Sequence, residues 1–441
     1  MRGCYACDCN RCAEAVLGMS RTPAKSKPQV AIVGGGVIGV CCAYFLAKGG
    51  AGVTVLERDE IGMGASYGNA GTIAPGHAPI NKPGRVKQAL RSLFDPLSPL
   101  YIAPRWDPAL MRWLWTFSRH CTSRHLERSM EVLGPLGHAT SALFENLVST
   151  EQLDCHYQRK GYYEVYLSRR SLEAVQQEVA LLRTHGYRPQ VFDGAALRLR
   201  EPALNDRVCG GIFYPEAATI NPHRFVRELS ERARRHGVLF RSGSKVAQIL
   251  VDGARVGGVR LANGDIVRAD TVVLAMGAHD AALVTKLGYR MPLQPAKGYH
   301  RDRVPRVGVT PSLTQPCVLG ESSVFCTPMN GFVRFAGTLE FSGVNHVIRR
   351  PRLEQLTRAA SRYLDGMEEG ESVSEWCGLR PCLPDGLPAI GPLPRYPRLF
   401  VATGHAMMGL TLGPVTGKLV AEWILDGMPS MDVDALRPDR F

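Results

Sequence analysis

Residues 29–59, QVAIVGGGVIGVCCAYFLAKGGAGVTVLERD, constrain the fold more than any other stretch of the chain. Val30 to Val33 form a short apolar run that is β-branched at three of its four positions, which predicts a buried parallel strand. Gly34, Gly36 and Gly39 follow as GxGxxG, residues 37–48 read as a helix, and Val53 to Leu56 read as a second strand ending in Glu57. Each piece has a physical task. Gly34 allows the tight turn, Gly36 lets a pyrophosphate approach the backbone, and Gly39 lets the helix pack close to the strand. The helix N-terminus offers free N–H groups and the positive end of its dipole to the phosphates. Glu57, at a strand tip about twenty residues on, can accept hydrogen bonds from both hydroxyls of an adenosine ribose. Val33, Val37, Ile38 and Arg58 flank these positions and complete the expected dinucleotide contacts. An acid at position 57 disfavours a 2′-phosphate, and the choice between NAD and FAD passes to later segments.

Three later segments point to a flavin. IGMGASYGNAGTIAPG, residues 61–76, is rich in small residues, and Ser66, Asn69, Ala70 and Gly71 are expected beside the cofactor's ring end. Thr271 to Ala275 read as a buried strand that ends in Met276–Gly277–Ala278, with Ala275 and Gly277 set for close approach. A hairpin turning at Asn263–Gly264 precedes it. Leu399 to Ala402 read as a strand, Gly404 to Gly413 as a glycine-rich turn, and Pro414 to Leu425 as a helix. Gly409, Leu410 and Thr411 fall on that turn, where N–H groups could stabilise negative charge on a reduced ring.

Together these segments resemble the FAD-dependent D-amino-acid oxidase superfamily, with the D-amino acid dehydrogenase branch nearest and glycine and sarcosine oxidases beside it. The resemblance rests on VAIVGGGVIG (30–39), GASYGNAG (64–71), QPAKGY (294–299), AGTLEF (336–341), GLRPCLPDGLPAIG (378–391) and GHAMMGLTLGP (404–414), and spans residues 30 to about 427. It implies an α/β (mixed α+β) architecture: a Rossmann-like FAD-binding domain interleaved with an antiparallel-sheet substrate domain. The expected FAD segments are 28–80, 219–288 and 378–430; the expected substrate segments are 81–218 and 289–377; residues 1–27 form an N-terminal extension. The implied reaction is oxidative deamination of a D-amino acid. A hydride leaves the α-carbon for flavin N5, and the electrons go to a quinone or another non-oxygen acceptor.

The chemistry needs positioning above all, and an α-carboxylate is best held by arginine, whose fork bonds both oxygens. The resemblance makes Arg380, in GLRP, the expected clamp, against a structural pairing with Asp385 on the same loop. Tyr299, in KGYH, is a weaker pocket candidate against a core role, and His405, in GHAMMG, either touches flavin or packs. No general base is assigned. Two departures stand out: Ala406 takes the place of a glycine common in the dehydrogenases, and Met407 takes the place of a second arginine of the glycine-oxidase type. Methionines 407 and 408 offer an adaptable apolar wall that suits a ring or alkyl substrate, so D-proline, hydroxyproline, sarcosine or glycine remains an alternative. A non-catalytic FAD-binding electron-transfer subunit is the reading from another class.

Elsewhere, residues 83–150 read as helical, with Trp106, Trp113 and Trp115 either touching lipid as a peripheral membrane contact or packing in the core. GYYEVYLS (161–168) reads as a strand, 171–186 as one helix, and Pro222 to His236 as a helix capped by Asn221. The net charge of +13 is spread without a basic block or aromatic platform, so no nucleic-acid partner is expected. With no signal-peptide pattern and no disulfide framework among 13 cysteines, the expectation is a cytoplasmic protein, in contact with the inner face of the membrane if with any. A homo- or hetero-oligomer is left open. The opening CYACDCNRC could hold a metal, but Met19 before the basic lead into the first strand favours a misassigned start or disordered extension, and no metal is assigned.

Overall fold

The computed structural model describes residues 27–92, 95–304, 313–367 and 370–441. The four cysteines of CYACDCNRC and the Met19 start lie outside these residues. A six-stranded sheet runs in the order Ala389–Leu393, Tyr396–Thr403, Thr271–Leu274, Gln29–Val33, Gly52–Leu56 and Leu239–Arg241. All neighbours are parallel except the first pair. Gln29–Val33 is therefore central, as its apolar run requires, and Ala31 and Ile32 are fully buried. The helix Val37–Lys48 is buried on ten of its twelve residues because it is covered on several sides. The sheet, the helix Pro222–Arg235 and the long helix Gly409–Asp426 all pack on it.

The second sheet has nine strands and forms the floor of the other lobe. Its path is Glu371–Cys382, Gln294–Val304, Phe332–Phe341, Val324–Met329, Cys317–Leu319, Tyr162–Tyr166, Gly210–Tyr214 and Gln190–Asp193, with Leu100–Ile102 beside Phe332–Phe341. It is largely antiparallel, as expected, but Cys317–Leu319 with Tyr162–Tyr166 and Phe332–Phe341 with Leu100–Ile102 are parallel. Glu371–Cys382 pairs with Gln294–Val304 along its length, so the expected domain boundary at 378 falls inside a strand of this sheet. A three-stranded antiparallel sheet, Val246–Asp252, Arg255–Leu261 and Ile266–Arg268, contains the Asn263–Gly264 turn.

Several boundaries differ from the sequence reading for physical reasons. The last long helix begins at Gly409, five residues before Pro414, and the proline lies inside it. Only one carbonyl in the first turns loses its donor, while burial of twelve residues on several faces holds the helix together. The helix expected over 171–186 is broken at Val175 into Arg169–Ala174 and Gln176–Thr184. The 83–150 stretch holds Arg85–Ser92, Pro108–His120 and Ser123–Thr150, with the strand Leu100–Ile102 between the first two. Asp107 caps the Pro108 helix through its carboxylate, and Asn221 caps the Pro222 helix as expected. Trp113 is buried, whereas Trp106 and Trp115 are 86% and 60% exposed, so the tryptophan stripe divides between core and surface. Among the described residues no helix is long and apolar enough to cross a membrane.

Candidate active site

One cavity of about 1160 Å³ runs along the junction of the two lobes. At one end lie Gly34, Gly36, Val37 and Glu57; at the other lie Arg380, His405 and Met407. Such a volume exceeds the usual range for a small ligand and accommodates an extended one.

The dinucleotide end is built by close backbone packing. Gly34 has φ +111°, and a Cβ there would lie 2.4 Å from the carbonyl oxygen of Ala275. Its N–H donates to the Leu56 carbonyl, which joins the turn to the next strand. A Cβ on Gly39 would fall 1.9 Å from the Gly34 carbonyl oxygen, so Gly39 serves helix packing and does not line the cavity. Gly36 opens the Val37–Lys48 helix and has no side chain to cap it, so the N-terminal turn borders the cavity, with the Val37 N–H taken by Ser66. Glu57 accepts from the Gly35 N–H at 2.7 Å and the Asp59 N–H at 3.0 Å, which fixes the carboxylate at the strand tip. Arg58 sits beside it, 3.2 Å from the His279 ring.

The 64–71 loop is clamped rather than loose. Ser66 Oγ accepts from the Val37 N–H at 2.9 Å, tying the loop to the first helix. Arg334, itself paired with Asp302 at 2.8 Å, donates to the carbonyls of Tyr67 and Asn69. His300 meets the Gly68 carbonyl at 3.2 Å and stacks on Trp376, which leaves no room for a side chain at Gly68. Burial and the Arg334 charge push the His300 pKa down to about 4. Ser66, Asn69 and Ala70 line the cavity; Gly71 does not, and instead turns the chain at φ +78° toward Ile220. Arg334, Asp302, His300 and Trp376 were not singled out from the sequence. They lie more than two hundred residues from the loop they hold, and no local pattern marks such pairings.

Val33, Ile38 and Ala275 line the cavity beside Gly34, and Gly277, Gly409, Leu410 and Thr411 line it as well. The Gly409–Asp426 helix has no side-chain cap, so its N-terminus faces the cavity as a ligand-directed dipole. Thr411 Oγ1 accepts from the Ala74 N–H, and Thr411 O accepts from Thr140. His405 is 2% exposed and shares a hydrogen bond with Thr416 at 3.0 Å. Burial pushes its pKa down to about 3, so it is neutral near pH 7 and presents no charge to a ligand. Ala406 adopts φ +47°, the left-handed region that favours glycine, at the place where the sequence departs from glycine.

Arg380 is half-buried on the wall of the cavity. It has no carboxylate partner among the described residues. Asp385, the alternative pairing, is bound instead to Arg440 at 2.7 Å. One Arg380 nitrogen donates to the Thr338 carbonyl at 2.6 Å. Thr338 holds φ +65°, a costly conformation for a β-branched residue, and that conformation sets the direction of this carbonyl. A Cβ on Gly298 would lie 2.1 Å from the guanidinium, so the glycine makes its space. Tyr299 corrects the sequence expectation. It is 1% exposed, does not line the cavity, and donates to Glu340 at 2.9 Å within a buried cluster with Lys297 and Arg352. Strand alternation sends it to the face opposite Gly298.

Two helix N-termini bordering the cavity whose own N-cap residues offer no side-chain cap, a fixed acid at the strand tip and glycines whose replacement would obstruct the turn are a donor set that fits FAD. Comparison with known proteins agrees with this fit. A D-amino acid dehydrogenase of Methylobacterium radiotolerans is 33% identical over 421 residues, covering 94% of this chain and 99% of that one. Among solved structures, glycine oxidase from Geobacillus kaustophilus superposes with TM-score 0.73 at 22% identity, over 94% of this chain and 100% of that one. The FAD-bound L-alpha-glycerophosphate oxidase of Mycoplasma pneumoniae superposes with TM-score 0.70 at 17% identity, over 94% and 98% of the two chains. Residues 29–423 match the FAD dependent oxidoreductase family, and the chain belongs to it.

Proposed function

We propose that this protein oxidatively deaminates D-amino acids and passes the electrons to an acceptor other than oxygen. The observation that carries the reading is Arg380: a half-buried guanidinium on the cavity wall, anchored by one carbonyl, with the rest of its fork free of carboxylates among the described residues. A partly desolvated cation without a counter-ion is costly, and an incoming α-carboxylate offsets that cost. The similarity to D-amino acid dehydrogenases supports the substrate class. FAD, when bound, supplies the two-electron acceptor for the α-carbon hydride. The chain's own residues do the rest. Arg380 orients the carboxylate, Met407 and Met408 give an apolar wall, and neutral His405 adds no competing charge.

The acceptor is proposed to be a quinone reached at the cytoplasmic face of a membrane. Trp106, Met111 and Trp115 are exposed around the Pro108–His120 helix, with Arg119 lying 4.9 Å over the Trp115 ring. Such a surface suits the lipid interface. Anaerobic reduction of the flavin by a panel of D- and L-amino acids, proline isomers and sarcosine tests the whole reading. Bleaching by D-amino acids, slow recovery in air and fast recovery with a soluble quinone are expected. Fast recovery in air would make the protein an oxidase; bleaching by secondary amines alone would move the substrate; no bleaching by any of them would overturn the proposal. Sedimentation with anionic vesicles, reduced by changing Trp106 and Trp115 to Ser, tests the membrane contact.

A further inference from the structure

A second, smaller cavity of about 90 Å³ adjoins the active site, and Arg380, Met407 and Phe325 line both. Its remaining wall is mostly apolar: Leu100, Ile102, Trp113, Phe117 and Phe341 surround it. We propose that this cavity is the subsite for the substrate's side chain, and that it selects D-amino acids with neutral branched or aromatic side chains. The inference rests on the reading of Arg380 as carboxylate clamp and goes on to name the substrates.

The geometry supports it in three steps. In an α-amino acid the carboxylate and the side chain share one carbon. A carboxylate on Arg380 therefore places the side chain within a bond or two of whatever cavity the same guanidinium borders. The wall is also held rigid. Trp113 stacks on Phe117 at 5.1 Å and packs against Phe341 at 5.0 Å, and its indole N–H donates to the Cys382 carbonyl. Cys382 lies two residues past Arg380 on the strand Glu371–Cys382, so the pocket wall and the clamp are fastened to each other. Finally, the lining matches one chemistry. Apart from Arg380, the charged side chain on this cavity is Arg85, which already lies in the field of the acids Glu178 and Glu164. Burying an apolar group here is worth about fourfold per methylene. A second carboxylate would be driven into an aromatic wall.

The test uses the FAD-loaded enzyme and needs no turnover. Acetate, 4-methylpentanoate, 3-phenylpropanoate and glutarate carry the carboxylate without an amine, and their binding is read from the flavin absorption spectrum. Affinity should rise at least tenfold from acetate to 4-methylpentanoate and 3-phenylpropanoate, with glutarate weaker than both. Equal affinities, or tightest binding by glutarate, would overturn the subsite. In turnover, kcat/KM for D-leucine or D-phenylalanine relative to D-alanine should exceed about tenfold. That ratio should fall at least fivefold in Ile102→Phe, which fills the cavity; a ratio unchanged in a folded, flavin-bearing variant would also overturn the proposal. The two readings fail separately. Graded carboxylate binding with no flavin reduction by D-amino acids leaves the subsite standing and removes the reaction. Flavin reduction indifferent to side chain, with flat carboxylate binding, does the reverse.

Discussion

Arg380 gathers its surroundings from distant parts of the chain: space from Gly298, an anchor from the strained Thr338, and a neighbouring wall from Trp113. Lysine in its place keeps a charge but loses the fork, and cannot hold both the Thr338 carbonyl and two carboxylate oxygens. Arg380→Lys is therefore expected to lower kcat/KM by about a hundredfold, or roughly 3 kcal/mol of lost charge-assisted bonding. Steady-state kinetics would check this, with an unchanged flavin spectrum showing that the fold survives. Ala406 offers the opposite case, a residue that works against its backbone. At φ +47° an alanine is strained by about 1–2 kcal/mol, and glycine is not. Ala406→Gly should stabilise the protein by roughly 0.5–1 kcal/mol after the entropy cost of glycine is subtracted, measurable by denaturant unfolding. The cavity position of Arg380 and the departure at Ala406 were legible in the sequence because each sits in a motif that resemblance marks. Tyr299 was not, because a motif says which residues recur and not which face of a strand they occupy. That depends on register, and here Tyr299 faces Glu340.

Among the elements, the first helix and the last long helix decide whether the cavity forms at all. Val37–Lys48 and Gly409–Asp426 cross so closely that a Cβ on Gly417 would lie 2.5 Å from the Cys41 backbone. Glycine inside a helix ordinarily costs up to about 1 kcal/mol relative to alanine, so Gly→Ala is often stabilising. Here the sign reverses, because the obstacle is backbone that cannot rotate away. Gly417→Ala should destabilise by roughly 1–3 kcal/mol and lower FAD retention by pushing the uncapped helix terminus off the cavity. Thermal melting and flavin content after dialysis check the two parts. If the variant were more stable than the parent, the close crossing would be wrong. The first element was fully legible because strand, glycines, helix and acid are contiguous. The start of the last helix was misplaced at Pro414, since proline is favoured at a first helical position and local pattern cannot weigh that against tertiary burial. The strand Leu100–Ile102 was missed for a related reason: three residues carry no periodicity, and it exists because Phe332–Phe341 offers it an edge.

At the scale of the whole molecule, the two-lobed plan was readable from the order of its motifs, whereas the polar interior that joins the lobes was not. His300 on the second sheet reaches the Gly68 loop, and His405 lies under the last helix, so acid sensitivity is built into the junction. Both rings are held neutral: burial and the neighbouring Arg334 lower His300 to about 4 against the partial opposition of Asp302, and burial lowers His405 to about 3. An unfolded histidine titrates near 6.5. Below that pH the unfolded chain binds protons that the native chain refuses, so stability falls as the solution is acidified from about 6.5 toward 4. Above about 7.5 both rings are neutral in either state and contribute no slope. Each histidine adds at most about 1.4 kcal/mol per pH unit within the window. Glu164 acts the other way, since burial raises its pKa and favours the protonated native form at low pH. Its effect falls in the carboxylate range, below most of the histidine window. Thermal midpoints measured from pH 4 to pH 8 should drop steeply on the acid side of 6.5 and stay level above 7.5. His405→Gln, which keeps a polar partner for Thr416 but cannot titrate, should make that acid slope shallower by about one proton. An unchanged slope would mean that His405 is protonated in the native state, contrary to its burial beneath the Gly409–Asp426 helix.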